Sequence, residues 1–336
     1  MSLRRRWRSM SRICRFMGIN KKEIERLRDS CGQRISQSLN LSISLLLFCF
    51  ILTSCTSIPP VIKIGLLAPF EGLQRRSGYV ALTAMRQAIA DSTPANVAIM
   101  PLAVDSGADP AAAERAARKL LQDEAVQAIV GPYTPFLMQS IQPLMTSTGL
   151  PWLVPFVVTP TNGFVTPDAD GDWALPLLTA ATEAATTLGS QRLMIAGWTP
   201  VTATAAQTRF ALPLVMDTIT AIQATDAVFW LGNAKDGAAY FTALRNRFPA
   251  VPFLLAPYAD DPIFSEQTAI SGPVYVLYWQ DDGYGQWRTR YPNQPPVAYL
   301  TYRATQIAIA QKLGQPTRAN PSWRLARVAV SGDSVQ

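Results

Sequence analysis

The chain has 336 residues, 30 Lys and Arg against 23 Asp and Glu, a formal net charge of +7, four cysteines and no histidine. Without histidine, Ser-His-Asp and Cys-His nucleophilic chemistry and His-ligated metals are excluded. The basic excess sits at one end: residues 1–54 carry eleven Lys/Arg and three Asp/Glu, residues 55–336 nineteen and twenty, so no nucleic-acid partner is implied.

In chain order, the first element is a leader. Arg4, Arg5, Arg6, Arg8, Arg12, Arg15, Lys21, Lys22, Arg26, Arg28 and Arg34 form a basic segment, in which Glu23, Glu25 and Arg26 are compatible with a short helix. The start stays open among Met1, Met10 and Met17. The apolar run Leu39–Leu52 has fourteen residues. That is short of the ~20 needed to span a bilayer as a helix, and within the ~7–15 of a secretory signal core. The run closes on Leu52-Thr53-Ser54-Cys55, which resembles the bacterial lipobox. The resemblance implies a lipid on the Cys55 sulfur and cleavage just before it, making 1–54 a removed signal segment and 55–60 a lipidated tether. The competing reading is a buried Cys55 in an uncleaved anchor. Cys14, Cys31 and Cys49 precede the cut, so no disulfide, thiolate nucleophile or Cys-based zinc site is expected after it. The 282 residues that remain suffice for two domains of ~100–200 residues each.

Strand and helix signals then alternate. Val61–Ala68 is an unbroken aliphatic and β-branched run, the kind a parallel sheet buries on both faces. Gly78–Ala90 reads as a helix and Val97–Val104 as a strand. Asp109 and Pro110 open a second helix as N-cap and first-turn proline. Val126–Val130 is a strand broken by Gly131-Pro132, followed by a helix around 137–147 and a strand at Gly149–Val154. Beyond residue 160 the rhythm continues: helix at Trp173–Leu188, strands at Arg192–Gly197 and Ala227–Leu231, helix at Asp236–Phe248, strand at Pro252–Leu255, helix at Pro262–Ile270, strand at Gly272–Trp279 and helix at Val297–Leu313. Trp323–Val330 is a candidate last strand. Gly283-Tyr284-Gly285 reads as a turn rather than a nucleotide loop, and no Walker motif is present. The alternation predicts doubly wound α/β architecture.

Ile62–Gly72, Asp105–Pro110, Ala128–Pro132, Leu150–Pro155, Asp226–Gly232 and Gly272–Val276, in this order, resemble the type I periplasmic binding fold. The likeness is to branched-chain amino-acid-type substrate-binding lipoproteins of ABC importers. It implies two doubly wound parallel-sheet lobes joined by a hinge and closing on a ligand. Lobe one would be 61–160 plus about 297–314, lobe two a shortened 161–290, and 315–336 a tail. Between Gly197 and Asp226 only Thr208–Ala224 could be regular, where the family fits a helix, a strand and another helix.

In open α/β sheets ligands sit beyond the carboxyl ends of strands. That rule selects Phe70, Glu71, Tyr133, Thr134, Phe156, Thr159, Trp198, Tyr258 and Asp260 as ligand-binding candidates, with no catalytic or metal residue and no cofactor. Phe70 and Phe156 could instead cap the core, and Glu71 could be a solvated loop charge. Three positions where the resemblance implies amino-acid contacts depart from it: Pro135 for a serine, Val158 (with Thr159 next) for a threonine, and Pro257 (with Asp260 three on) for an acid. The departures argue against an ordinary α-amino acid, whose ammonium would forgo charge-assisted hydrogen bonds of ~1.5–3 kcal/mol each.

The expected function is capture of a small polar ligand for ABC permease subunits, without catalysis. The chain would be held on the extracytoplasmic face of a bacterial membrane by the lipid on Cys55. The alternative is an envelope lipoprotein that kept the fold, lost the ligand, and acts as a structural or regulatory partner. An enzyme using Glu71, Asp105 and Asp260 ranks third.

Overall fold

Val61–Ala68 forms the first strand (β1), buried from Ile64 onward as its apolar run requires. The computed structural model describes residues 22, 26, 61–159, 163–164, 167, 174–197, 214–216, 219–315 and 324–329. The chain divides into two compact units, Met1–Pro59 and Pro60–Gln336. In the first, Lys22 and Arg26 are helical and exposed. The apolar leader run, Cys55 and the tether lie outside the described residues, as does Trp198.

In the second unit, β1 is followed by α1 (Arg75–Ser92), β2 (Ala98–Asp105), α2 (Pro110–Leu121), β3 (Val126–Val130), α3 (Pro135–Thr146) and β4 (Trp152–Leu153). The strands form a parallel sheet in the order β2-β1-β3-β4. Helix α2 starts as its sequence requires: the Asp109 side chain accepts the Ala112 N–H at 2.9 Å, with Pro110 in the first turn. Strand β4 is shorter than its apolar run, because Pro151 and Pro155 flank it and supply no ladder donor. A small antiparallel hairpin follows, β5 (Val158–Thr159) with β6 (Gly163–Phe164).

A second sheet collects β7 (Arg192–Ala196), β8 (Leu214–Met216), β9 (Asp226–Trp230), β10 (Phe253–Leu255), β11 (Val274–Gln280) and β12 (Arg324–Ala329), in the order β12-β11-β10-β9-β7-β8. Its pairs are parallel except that β12 runs antiparallel to β11. The helices are α4 (Leu175–Thr187), α5 (Ala234–Arg247), α6 (Pro262–Gln267), α7 (Tyr284–Arg290) and α8 (Ala298–Lys312). Both lobes are therefore doubly wound α/β layers. Among the described residues no helix is long and apolar enough to cross a membrane.

Three buried clusters hold the layers. Ile64, Leu66 and Val130 meet α1 and α8 through Met85, Ala304 and Ala308. The opposite face of the first sheet joins the α4 face of the second, so one cluster runs from Leu120 and Ile141 through Leu177 to Ile195, Phe229 and Leu277. Beneath α5 and α6 lies the third, with the rings of Phe253 and Phe264 stacked at 6.0 Å. Arg245 ties α5 to the start of β11. It donates to the carbonyls of Val251 at 2.6 Å, Ser271 at 2.7 Å and Pro273 at 3.0 Å, and burial pulls its guanidinium down to about 10.

Gly283 follows β11 and opens α7, a strand–turn–helix arrangement. Its N–H is nonetheless committed to Asp281 Oδ1 at 2.9 Å, and a Cβ there would lie 2.9 Å from the Tyr299 hydroxyl. A phosphate-cradling loop needs free N–H groups and open space at its first glycine, and Gly283 has neither.

Asp281 ends the second sheet's β11 and is 2% exposed. It accepts Arg303 Nε at 2.8 Å and the Tyr299 hydroxyl, both from α8, the helix that covers the first sheet. Asp91, near the end of α1, gathers the hydroxyls of Tyr291 and Tyr302 at 2.8 Å each and Arg290 at 2.6 Å. The return crossover is thus pinned to both lobes by carboxylates. Removing one partner of a buried pair strands the other charge. Asp281→Ala is expected to lower stability by about 3 kcal/mol in equilibrium urea unfolding. A loss under about 1 kcal/mol, the range of an exposed pair, would show the anchor to be dispensable.

Candidate functional site

The loops after β1, β2 and β3 of the first lobe and after β9 and β10 of the second open on one cleft, with Gly197 beyond β7 also lining it. After β1, the Phe70 N–H donates to Asp105 Oδ1 at 2.6 Å, which ties the loop to the end of β2. The first turn of α1 then presents Gln74 and Ser77. After β3, Gly131 takes φ +109° with its Cβ position 2.1 Å from the Leu67 carbonyl oxygen, so no side chain fits there. The loop leaves from this point and carries Tyr133 and Thr134. The Tyr133 hydroxyl is hydrogen-bonded to Thr301 Oγ1 of α8 at 2.7 Å, and burial raises its pKa. From the second lobe, β10 runs into a 3-10 turn at Pro257–Ala259 that delivers Tyr258 and Asp260. Asp261 then caps α6, accepting the Ile263 N–H at 2.9 Å.

Two adjoining cavities result. The inner one, about 40 Å³, is lined by Ser77, Tyr133, Thr134, Tyr258, Asp260, Asp261 and Thr301 over an apolar floor of Val80, Ala81 and Leu137. That is room for a few waters at ~10–15 Å³ each. The outer one, about 620 Å³, shares Thr134 and Tyr258 and adds Glu71, Trp230, Lys235 and Asp236. Trp230 lies against Gly232 and Gly237, where a Cβ would approach its ring to 2.5 and 2.7 Å.

The lobes also touch directly. The Ser77 hydroxyl donates to Asp261, and Arg76 pairs with Glu266. The second contact is solvent-exposed and contributes little. Asp260 accepts the Tyr278 hydroxyl, and its carboxyl is pushed from 3.8 up to about 6. Burial is the main cause; the neighbouring Asp261 charge adds to it and the Tyr278 hydrogen bond opposes it. Tyr278 and Tyr258 are both raised by burial, Tyr278 also by Asp260. The Tyr258 hydroxyl donates to the Leu231 carbonyl at 3.0 Å, leaving its ring to face the cavity.

Of the sequence candidates, Glu71, Tyr133, Thr134, Tyr258 and Asp260 line the two cavities. Phe70, Phe156 and Thr159 do not line them. Phe70 sets its ring edge against Tyr79 at 5.7 Å, and Phe156 is buried beneath Tyr258 at 4.8 Å. Ser77, Thr301 and Asp261 are lining residues that sequence reasoning missed. Asp261 had a readable signal, since Asp261-Pro262 repeats the capping pattern of Asp109-Pro110.

Residues 61–225 match the family described as periplasmic binding protein. Those residues belong to that family, in its type I fold. Solved structures of this fold include an extracellular ligand-binding receptor from Rhodopseudomonas palustris: TM-score 0.58, 16% identity, covering 82% of this chain and 100% of that one. A branched-chain amino acid transporter substrate-binding protein, LivJ, from Streptococcus pneumoniae in complex with isoleucine gives 0.57 at 15% identity, covering 77% and 86%. A leucine-binding protein, LivK, from Thermotoga maritima gives 0.56 at 16%, covering 76% and 84%. At these identities the likeness is one of fold. Comparison with curated protein sequences gives no match.

In the folded chain Asp260 holds its proton to about pH 6, against 3.8 ordinarily. Between those values the fold binds the extra proton, so stability falls as pH rises through the window and the cost is complete above it. Asp260→Asn keeps an acceptor for Tyr278 and removes that cost. The variant should gain on the order of 1–3 kcal/mol over the parent at neutral pH, and the gap should shrink as pH falls toward 4. Unfolding measured at both pH values checks this; an unchanged gap would contradict it.

Proposed function

We propose that the chain is an extracytoplasmic solute-binding lipoprotein that captures a small polar ligand between its lobes and delivers it to ABC permease subunits. The observation that carries this reading is the cleft itself. Five loops at the carboxyl ends of strands from two separately sheeted lobes converge on it, in a chain whose residues 61–225 match the periplasmic binding family. The binding proteins that share the fold support the transport role, and the Leu52–Cys55 motif supports the anchor. Binding needs no chemistry here. Asp105, one of three acids considered for catalysis, is spent on the Phe70 N–H. Contacts such as Ser77 to Asp261 suit a cleft that closes by hinge motion.

The full chain, purified in detergent, should be screened by thermal unfolding against amino acids, amides, sugars, amines and small carboxylates. A true ligand at 100 times its dissociation constant adds ~2.7 kcal/mol. Compaction in solution scattering should accompany it. A well-folded chain that responds to nothing would transfer the assignment to a ligand-free envelope role. Separately, Cys55→Ala should release the chain from the membrane fraction; retention of the variant there would overturn the lipid anchor.

A further inference from the structure

The charge of the cleft selects among small polar ligands. We infer that the ligand is a primary amine or related organic cation without a carboxylate, its charged head at Asp260 and Asp261 and its apolar body in the outer cavity. The inference rests on the cleft being the ligand site, as proposed above.

Among the described residues the inner cavity is lined by two carboxylates and by no Lys or Arg. The outer cavity adds Glu71 and Asp236 against Lys235 alone. Of the two arginines nearest in sequence to the lining Gln74 and Ser77, Arg76 pairs with Glu266 and Arg75 donates to the Gly72 carbonyl, and neither lines a cavity. Among the described lining residues a ligand carboxylate would therefore meet four negative side chains and one positive one. A carboxylate could otherwise be held by N–H groups at the start of α3, but Pro135 occupies its first position and removes a donor. A cation meets the reverse conditions. Asp261 has one oxygen on the Ile263 N–H and one on the Ser77 hydroxyl, both donors that hold its carboxylate in place facing the cavity. Asp260 is oriented by Tyr278, and Tyr258 of the same turn lines the cavity as an aromatic neighbour for the cation. Thr134, Leu137, Trp230 and Ile263 supply contact surface for the body.

The test uses matched ligands on the full chain. Leucine, 3-methylbutylamine and 4-methylpentanoate share one body with both charges, the positive alone and the negative alone. Phenylalanine, 2-phenylethylamine and 3-phenylpropanoate form a second set, and 1,4-diaminobutane adds a dication. Calorimetric titration should show at least one amine binding ten-fold or more tighter than its zwitterion, with no heat from the acids. Asp261→Asn and Asp260→Asn, which conserve shape, should each weaken that amine ten-fold or more. The ligand series is decisive without the variants should either fail to fold. A zwitterion or acid that outbinds its amine overturns the cationic class and leaves the solute-binding reading intact. Silence from all amines overturns the cationic class as well. Only silence across the wider screen above overturns both.

Discussion

The return of α8 from the second sheet to the first is the constraint on which the site depends. A two-lobed protein needs its last crossover fixed at both ends, or the loops that meet in the cleft have no common frame. Asp281, buried at the end of β11, takes Arg303 and Tyr299 from α8, and Asp91 of α1 takes Tyr302 from the same helix. Thr301 sits between these anchors and receives Tyr133. Thus one carboxylate at a strand end sets the helix that seats a residue of the opposite lobe's loop.

With that frame fixed, the cleft can carry unfavourable electrostatics. Burial, with a smaller contribution from the Asp261 charge, raises Asp260 to about 6, a cost the surrounding buried layers offset. Such local destabilisation is common where a binding group must remain available to a ligand rather than be satisfied internally. The structural carboxylates differ in kind: Asp226 is fully buried and holds Arg192 at 2.8 Å, and Asp281 holds Arg303. Asp260 and Asp261 have hydroxyl partners and, among the described residues, no ion pair.

Much of the architecture was legible in the sequence, because it rests on local physics. Asp109-Pro110 capped its helix where the pattern placed it, and Val126–Val130 ended at Gly131-Pro132, where Pro132 has no N–H to continue the ladder. Strand β4 came out shorter because prolines on both flanks outweighed its apolar composition. The site was only partly legible. Tyr133, Thr134, Tyr258 and Asp260 follow strands directly, so the carboxyl-end rule finds them. Ser77 lies on a helix face and Thr301 is 168 residues from its partner Tyr133, and no local pattern signals either one. Phe156 followed the same rule and yet lies in the core under Tyr258, since a large ring at a strand end can turn inward.

The central claim is that one ligand engages both lobes at once. Amide hydrogen exchange of the full chain, with and without the compound that stabilises it most, tests this directly. Simultaneous protection at 74–81 and 133–138 of the first lobe and 256–264 of the second is the result expected. Protection confined to one lobe, or to residues away from the cleft, would contradict it.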